Sequence, residues 1–318
     1  MTPELGFLPD IKLTDFLKQH TFTLSAEVIP PRNGAEQALV LGQIHRLIQS
    51  GAQFLAVTKG AGGSLRGGSL PIAQSIKERF GVPCIAHFTC RDLAAEEVEN
   101  QLVDHHYFGI RNILALRGDP PDGQPNWKPR EGGYQYAHEL IAQIRNLNQG
   151  QYLSRVGGPS VTPGSQIATD FCIGAAVYPD HPNEIERIDY FKAKIDAGAH
   201  FGITDILLDV DAFKRFQDLC GKNGLTRIPI LPGSRLLKTQ AQALKMMTKF
   251  KVKIPKQVFD SLPESSESMP EEEILKRSVD RFLGFTEELR KAGAPGIHLF
   301  VIVDTEGACR ALKRLVSH

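Results

Sequence analysis

The sequence predicts an α/β protein of the (β/α)8 TIM barrel class, with one domain over residues 1–318. Three observations point there. Short β-rich runs alternate with amphipathic helical segments, the runs number about eight, and 318 residues suit one barrel with insertions. Parallel pairing follows, because a parallel return needs a crossover long enough to hold a helix. A doubly wound sheet is the alternative, but its fingerprint G-x-G-x-x-G is missing after the first strand.

The first strand, 22–29, is stopped by Pro30 and Pro31. Further apolar strand runs cover 54–58, 84–89, 112–116, 171–177, 203–208, 228–231 and 297–302. Helical periodicity fills 36–50, 70–80, 94–105, 136–147, 184–197, 212–223, 239–250 and 271–292, and a last helix covers 305–316. Gly60-Ala61-Gly62-Gly63 follows the second strand, but no helix opens until residue 70, so it reads as a loop and not a phosphate cradle. Segments 120–133 and 150–166 are Pro/Gly-rich insertions, the second expected to pack on the rim, and 261–273 reads as an acidic surface loop.

Composition excludes several functions. With 37 Lys+Arg against 36 Asp+Glu there is no electrostatic footprint for nucleic acid or an anionic membrane. No apolar run nears the ~20 residues that span a bilayer, and the start lacks a basic region followed by an apolar stretch. Five cysteines, with no C-x-x-C pair, read as reduced core thiols. A soluble, cytoplasmic protein is expected.

In such a barrel the working residues lie at the carboxyl ends of strands and just beyond. That rule selects Glu27, Thr58, His87 with Thr89, Arg117-Gly118-Asp119, Tyr178 with His181, Thr204-Asp205 with Asp209, and Ser234-Arg235, while the final strand offers chiefly Asp304 and Glu306. Glu27, among apolar neighbours and two prolines, would enter the mouth with little water; a desolvated carboxyl holds its proton and can act as a general acid. A structural pairing with Arg or Lys is the other reading. Gly118 lets a ligand approach the backbone between Arg117 and Asp119, or the three form only a turn with a local ion pair. Tyr178 and His181 stand at a strand–helix junction suited to an anion or a stacked ring, or merely cap and pack there. His105 and His106 end a helix and are expected to be exposed; no metal-ligand spacing accompanies them, so no catalytic metal is expected.

The segments Ser25-Ala26-Glu27-Val28-Ile29-Pro30-Pro31-Arg32, Val57-Thr58-Lys59-Gly60, His87-Phe88-Thr89-Cys90 and Leu116-Arg117-Gly118-Asp119-Pro120-Pro121 resemble the methylenetetrahydrofolate reductase family of flavin-dependent folate enzymes. So do Ala176-Val177-Tyr178-Pro179-Asp180-His181 and Lys192-Ala193-Lys194. The resemblance runs from about residue 22 to the chain's end. It implies FAD across the barrel's carboxyl face, held at Thr58, His87, Arg117, Gly118, Asp119, Tyr136, Ala176, Tyr178, His181 and Lys194. By the same resemblance Glu27 is the acid that opens the folate's five-membered ring. Asp119 contacts the pterin and tunes the flavin, and Glu27, Asp119 and Asp205 meet the tetrahydrofolate substrate.

Two departures stand out. The family's Gln after the sixth strand is replaced by Asp205, and the loop after the seventh, Ser234-Arg235-Leu236-Leu237-Lys238, lacks the aromatic that covers substrate or NAD(P)H. FAD is therefore better supported than a nicotinamide. The electron partner stays open between NADH, NADPH and a protein donor or acceptor, and methyl-folate oxidation is one possible direction. Other readings are a non-catalytic flavin or folate sensor and a barrel acting on another pterin. The reading further expects a homo-oligomer and no regulatory domain beyond the helix that ends near His318.

Overall fold

The computed structural model describes residues 7–31, 37–61, 67–121, 124, 126–154, 166–267, 269–302 and 304–317. Eight parallel strands close a barrel in chain order: β1 (Thr23–Val28), β2 (Phe54–Val57), β3 (Cys84–Thr89), β4 (Asn112–Leu116), β5 (Cys172–Val177), β6 (Phe201–Ile206), β7 (Ile230–Ser234) and β8 (Gly296–Phe300). β8 pairs back onto β1, so no edge is left for another chain to extend. After α1 (Leu13–Lys18), the helices are α2 (Gln37–Gln49), α3 (Ser69–Ser75), α4 (Ala95–Tyr107), α5 (Ala137–Asn148) and α6 (Glu184–Ala197). They continue with α7 (Val210–Lys222), α8 (Gln240–Lys249), α9 (Lys256–Asp260), α10 (Glu271–Lys291) and α11 (Thr305–Val316). Most of the apolar core lies between the strands' outer faces and these helices.

The short α1 escapes sequence periodicity, since six residues give barely two turns. Its Leu13 and Leu17 close the amino-terminal end of the barrel over Phe54, Ile85, Leu114 and Phe201. Gly174 makes room for that layer: a Cβ there would lie 2.3 Å from the Phe201 ring.

β6 and β7 depart from the expected runs 203–208 and 228–231. Along β6–β7 the register passes from Ile203↔Leu231 to Ile206↔Gly233, so Thr204 and Asp205 stand opposite Pro232 alone. Pro232 has no N–H to donate, which makes this the place where the ladder can skip a residue. Leu207 and Leu208 then leave the barrel for the outer core. The expected helix 70–80 becomes α3 followed by a π turn, Ile76–Phe80, and the short α9 was not expected.

His105 corrects the expectation of exposure. Val98, Leu102 and His105 form one buried stripe of α4, and the His105 ring packs edge-on against Phe88, with Nδ1 2.6 Å from the Gln101 carbonyl. Burial pulls its pKa to about 4. His106 is half-buried. All five cysteines are free and buried. Most of segment 150–166, together with Arg32, Gly62 and Gly63, lies outside the described residues. Among the described residues no helix is long and apolar enough to cross a membrane.

Candidate active site

Residues two apart on a strand share a face, so Ser25 and Glu27 of β1 both point into the barrel, where they meet His298 of β8 and His87 of β3. Glu27 is 9% exposed. Its Oε2 lies 3.3 Å from His87 Nε2 and 3.9 Å from His298 Nε2. Burial holds the pKa of His87 below its ordinary value; Glu27 opposes that shift and His298 adds to it. His87 is therefore uncharged at neutral pH, and its contact with Glu27 is not an ion pair.

Ser25 Oγ lies 3.1 Å from the Ile297 carbonyl and 2.9 Å from His298 Nδ1, which ties the His298 ring to β1 and turns its Nε2 toward Glu27. Sequence reasoning missed both Ser25 and His298 as site residues. The parity of β8, with Gly296, His298 and Phe300 on one face, was the available signal. Asp304 and Glu306 serve elsewhere: Asp304 caps α11 and pairs with Lys238 at 3.0 Å, and Glu306 pairs with Arg310 at 2.9 Å and with Arg46.

The bulge after Ile203 sets Asp205 at the mouth. Thr204 Oγ1 accepts the Gly233 N–H at 2.8 Å and donates to the Asp205 carbonyl at 2.7 Å, fixing the irregular turn. The Asp205 side chain reaches solvent, yet the surrounding protein raises its carboxyl above the ordinary range, and the charges of Asp119 and Glu27 push the same way. The carboxyls of Glu27 on β1, Asp119 beyond β4 and Asp205 on β6 are thus near enough for their charges to be felt at Asp205.

Gly118 holds φ +92°, and a Cβ there would lie 2.9 Å from Arg91 Cβ and 3.3 Å from Thr89 Cβ. Glycine alone lets the chain turn back between exposed Arg117 and Asp119. Arg91 Nη1 donates to the Asp119 carbonyl at 2.7 Å and steadies the turn. Thr58, directly after β2, is buried, and its Oγ1 has no hydrogen-bond partner among the described residues.

Four expected cofactor residues, Ala176, Tyr178, His181 and Lys194, line one small cavity between β5 and α6. Lys194 Nζ donates to the Ala176 carbonyl at 2.8 Å and lies 5.0 Å from the Tyr178 ring centre; burial brings its pKa down to about 8. Burial, then Asp205 and Asp119, push Tyr178 up to about 12, which ties this cavity to the carboxyl cluster. The His181 carbonyl accepts two bonds from Arg187, at 3.1 and 2.5 Å. Tyr136 stands apart from this set: it precedes α5, is 40% exposed and stacks on His138. Among the described residues no three His, Cys, Asp or Glu side chains gather as a metal site would require.

Comparison with known proteins bears on this arrangement. The profile described as methylenetetrahydrofolate reductase matches residues 12–315. A Zea mays protein named methylenetetrahydrofolate reductase (NADH) 1 is 31% identical over 296 residues, 92% of this chain and 48% of that protein. The 5,10-methylenetetrahydrofolate reductase of Escherichia coli is 31% identical over 257 residues, 79% of this chain and 77% of its own. The chain thus spans about half the length of the plant relative. A solved Clostridium thermocellum structure, described as binding two copies of 5-methyl-5,6,7,8-tetrahydrofolic acid, superposes with a TM-score of 0.56 at 14% identity. It covers 96% of this chain and 99% of that one, and it supports the fold alone.

Proposed function

The chain belongs to the methylenetetrahydrofolate reductase family, and from that premise we propose that it is a FAD-dependent oxidoreductase interconverting 5,10-methylenetetrahydrofolate and 5-methyltetrahydrofolate. The observation that carries this reading is Glu27: a nearly dry carboxyl held between two histidines inside the barrel, its charge felt at Asp205 together with that of Asp119.

The residues present suit the flavin. Thr58 offers a buried hydroxyl without a partner among the described residues, Gly118 lets the chain turn tightly against Thr89 and Arg91 between Arg117 and Asp119, and Lys194 and Tyr178 give a cation and an aromatic face on one cavity. Bound FAD would supply hydride transfer at its N5. Everything else falls to the chain's own groups. Glu27 holds the proton at Oε2 and delivers it to a ring nitrogen of the folate, so that the five-membered ring opens. Neutral His87 and the His298 ring flank that oxygen, and His87 does not hold it in a fixed ion pair. Asp119 accepts hydrogen bonds from the pterin edge.

Asp205 adapts the departure from the family's amide. The surrounding protein and the charge of Asp119 shift this carboxyl toward its protonated form, which would both donate and accept, as an amide does. The plant relative's name includes NADH. In this chain the loop after β7 has no aromatic side chain to cover a nicotinamide, so folate is the better-supported exchange partner.

Anaerobic titration tests the proposal. The purified protein takes up FAD and turns yellow, 5-methyltetrahydrofolate bleaches it, and NADH and NADPH act weakly or not at all. A protein that refuses added FAD, or binds it without any response to the methyl-folate, refutes the assignment.

A further inference from the structure

A second cavity lies outside the barrel mouth, where the end of β7 meets α9 and α10. It holds about 40 Å³, room for roughly three waters or the head of one small molecule. Phe282 and Phe285 form part of an otherwise aliphatic wall, and Ser234, Arg235, Ser278 and Arg281 supply the polar groups.

These polar groups are unusual in what they lack. Ser234 and Ser278 are 0% and 1% exposed, and neither hydroxyl has a hydrogen-bond partner among the described residues. Arg235 is 9% exposed; its Nε–H has no acceptor, and no described carboxylate lies within ion-pair distance. Asp304, the acid whose charge reaches it, is engaged by Lys238 Nζ at 3.0 Å. A guanidinium cannot shed its proton near neutrality, so a buried one without a counter-charge is strongly disfavoured unless an anion comes to it. Arg281 adds positive field, and three of its five N–H groups are already bonded, to the Ser261 hydroxyl and carbonyl and to the Leu237 carbonyl.

We propose that this cavity binds a small organic monocarboxylate, its two oxygens on the Arg235 guanidinium and the Ser234 and Ser278 hydroxyls, its hydrocarbon part against Phe282 and Phe285. The count of donors selects the class. One free guanidinium fork matches one carboxylate. A phosphate dianion would turn further oxygens toward apolar side chains and leave them unpaired. An uncharged ligand would leave Arg235 uncompensated.

Isothermal titration of the full chain with sodium butyrate reads the site directly, with butyramide and inorganic phosphate as controls. The expected result is saturable one-to-one binding of butyrate alone. Arg235→Met weakens it about tenfold or more, and Ser278→Ala weakens it several-fold. Absence of saturable butyrate binding, unchanged affinity in Arg235→Met, or preference for phosphate or butyramide overturns the proposal. Should Arg235→Met fail to fold by circular dichroism, Ser278→Ala decides alone, and unchanged affinity in that variant counts against the site.

Discussion

At the amino-terminal end of the barrel Asn112 and Asp10 are tied into a hydrogen-bond network within the chain, whereas at the carboxyl-terminal end several buried polar atoms of the described residues are left without a partner. Below, Asn112 accepts the Leu13 N–H at 2.6 Å and donates to the Ile11 carbonyl at 2.9 Å and to Asp10 at 3.2 Å. Asp10 in turn accepts the N–H groups of Ile11 and Cys84, each at 2.8 Å. Above, Thr58 Oγ1, His87 Nε2 and His298 Nε2 find no partner of hydrogen-bond geometry among the described residues. Buried polar groups are ordinarily satisfied, so the contrast separates two uses of one barrel. The lower end spends its polarity on folding, and the upper end, on the function proposed above, offers it to a ligand.

The sharpest break of this comparison is at Glu27. Glu27→Gln keeps the shape and removes the transferable proton. We expect the flavin to stay bound and methyl-folate turnover, followed by stopped-flow flavin reduction, to fall about 10²- to 10⁴-fold with little change in stability. A rate within tenfold of the parent would end the acid role.

The matching change below is Asn112→Ala. It strands the Leu13 N–H and the Ile11 carbonyl behind α1, so urea unfolding should show a loss of about 2–4 kcal/mol, while the spectrum of added FAD stays as in the parent.

The lower end also carries its own pH dependence. Burial raises Asp10 from 3.8 to about 6, against the downward pull of the Cys84 and Ile11 N–H groups. The folded state therefore holds this proton more tightly than the unfolded chain does. The associated stability is complete below about pH 4 and is lost as pH rises to about 6, a fall of up to about 3 kcal/mol. Urea midpoints across that window should decline in the parent and lose this component in Asp10→Ala; identical profiles would refute it.

The smallest effect sharpens the upper half. Thr58→Val removes a hydroxyl with no hydrogen-bond partner among the described residues, so stability should move by less than about 1 kcal/mol. Flavin affinity should drop about tenfold in equilibrium dialysis. A large destabilisation with unchanged affinity would make Thr58 a structural residue.

The sequence disclosed these two ends unequally. β1 to β5 are apolar runs bounded by turn residues or prolines, and each was readable because full burial suppresses alternation and leaves only length and flanks as signals. β6 and β7 were displaced because Pro232 and the bulge opposite it interrupt the pattern. In the site, Glu27, His87, Asp119 and Asp205 were visible as charged or ring residues at strand ends. His298 was not, because it is embedded in a hydrophobic run whose parity matters only once the barrel closes β8 onto β1. The α1 plug, and with it the purpose of Asn112, has no periodic signature at six residues.

The skipped rung between β6 and β7 has one more implication. Thr204 and Asp205 share a single counterpart on β7, and Asp205 Oδ1 turns back to accept the Ile206 N–H at 2.7 Å, so this side chain anchors the point where strand pairing resumes. A substitution at Asp205 therefore removes a backbone anchor of the sheet as well as changing the charge at the mouth, so registry and electrostatics are tied together at one residue.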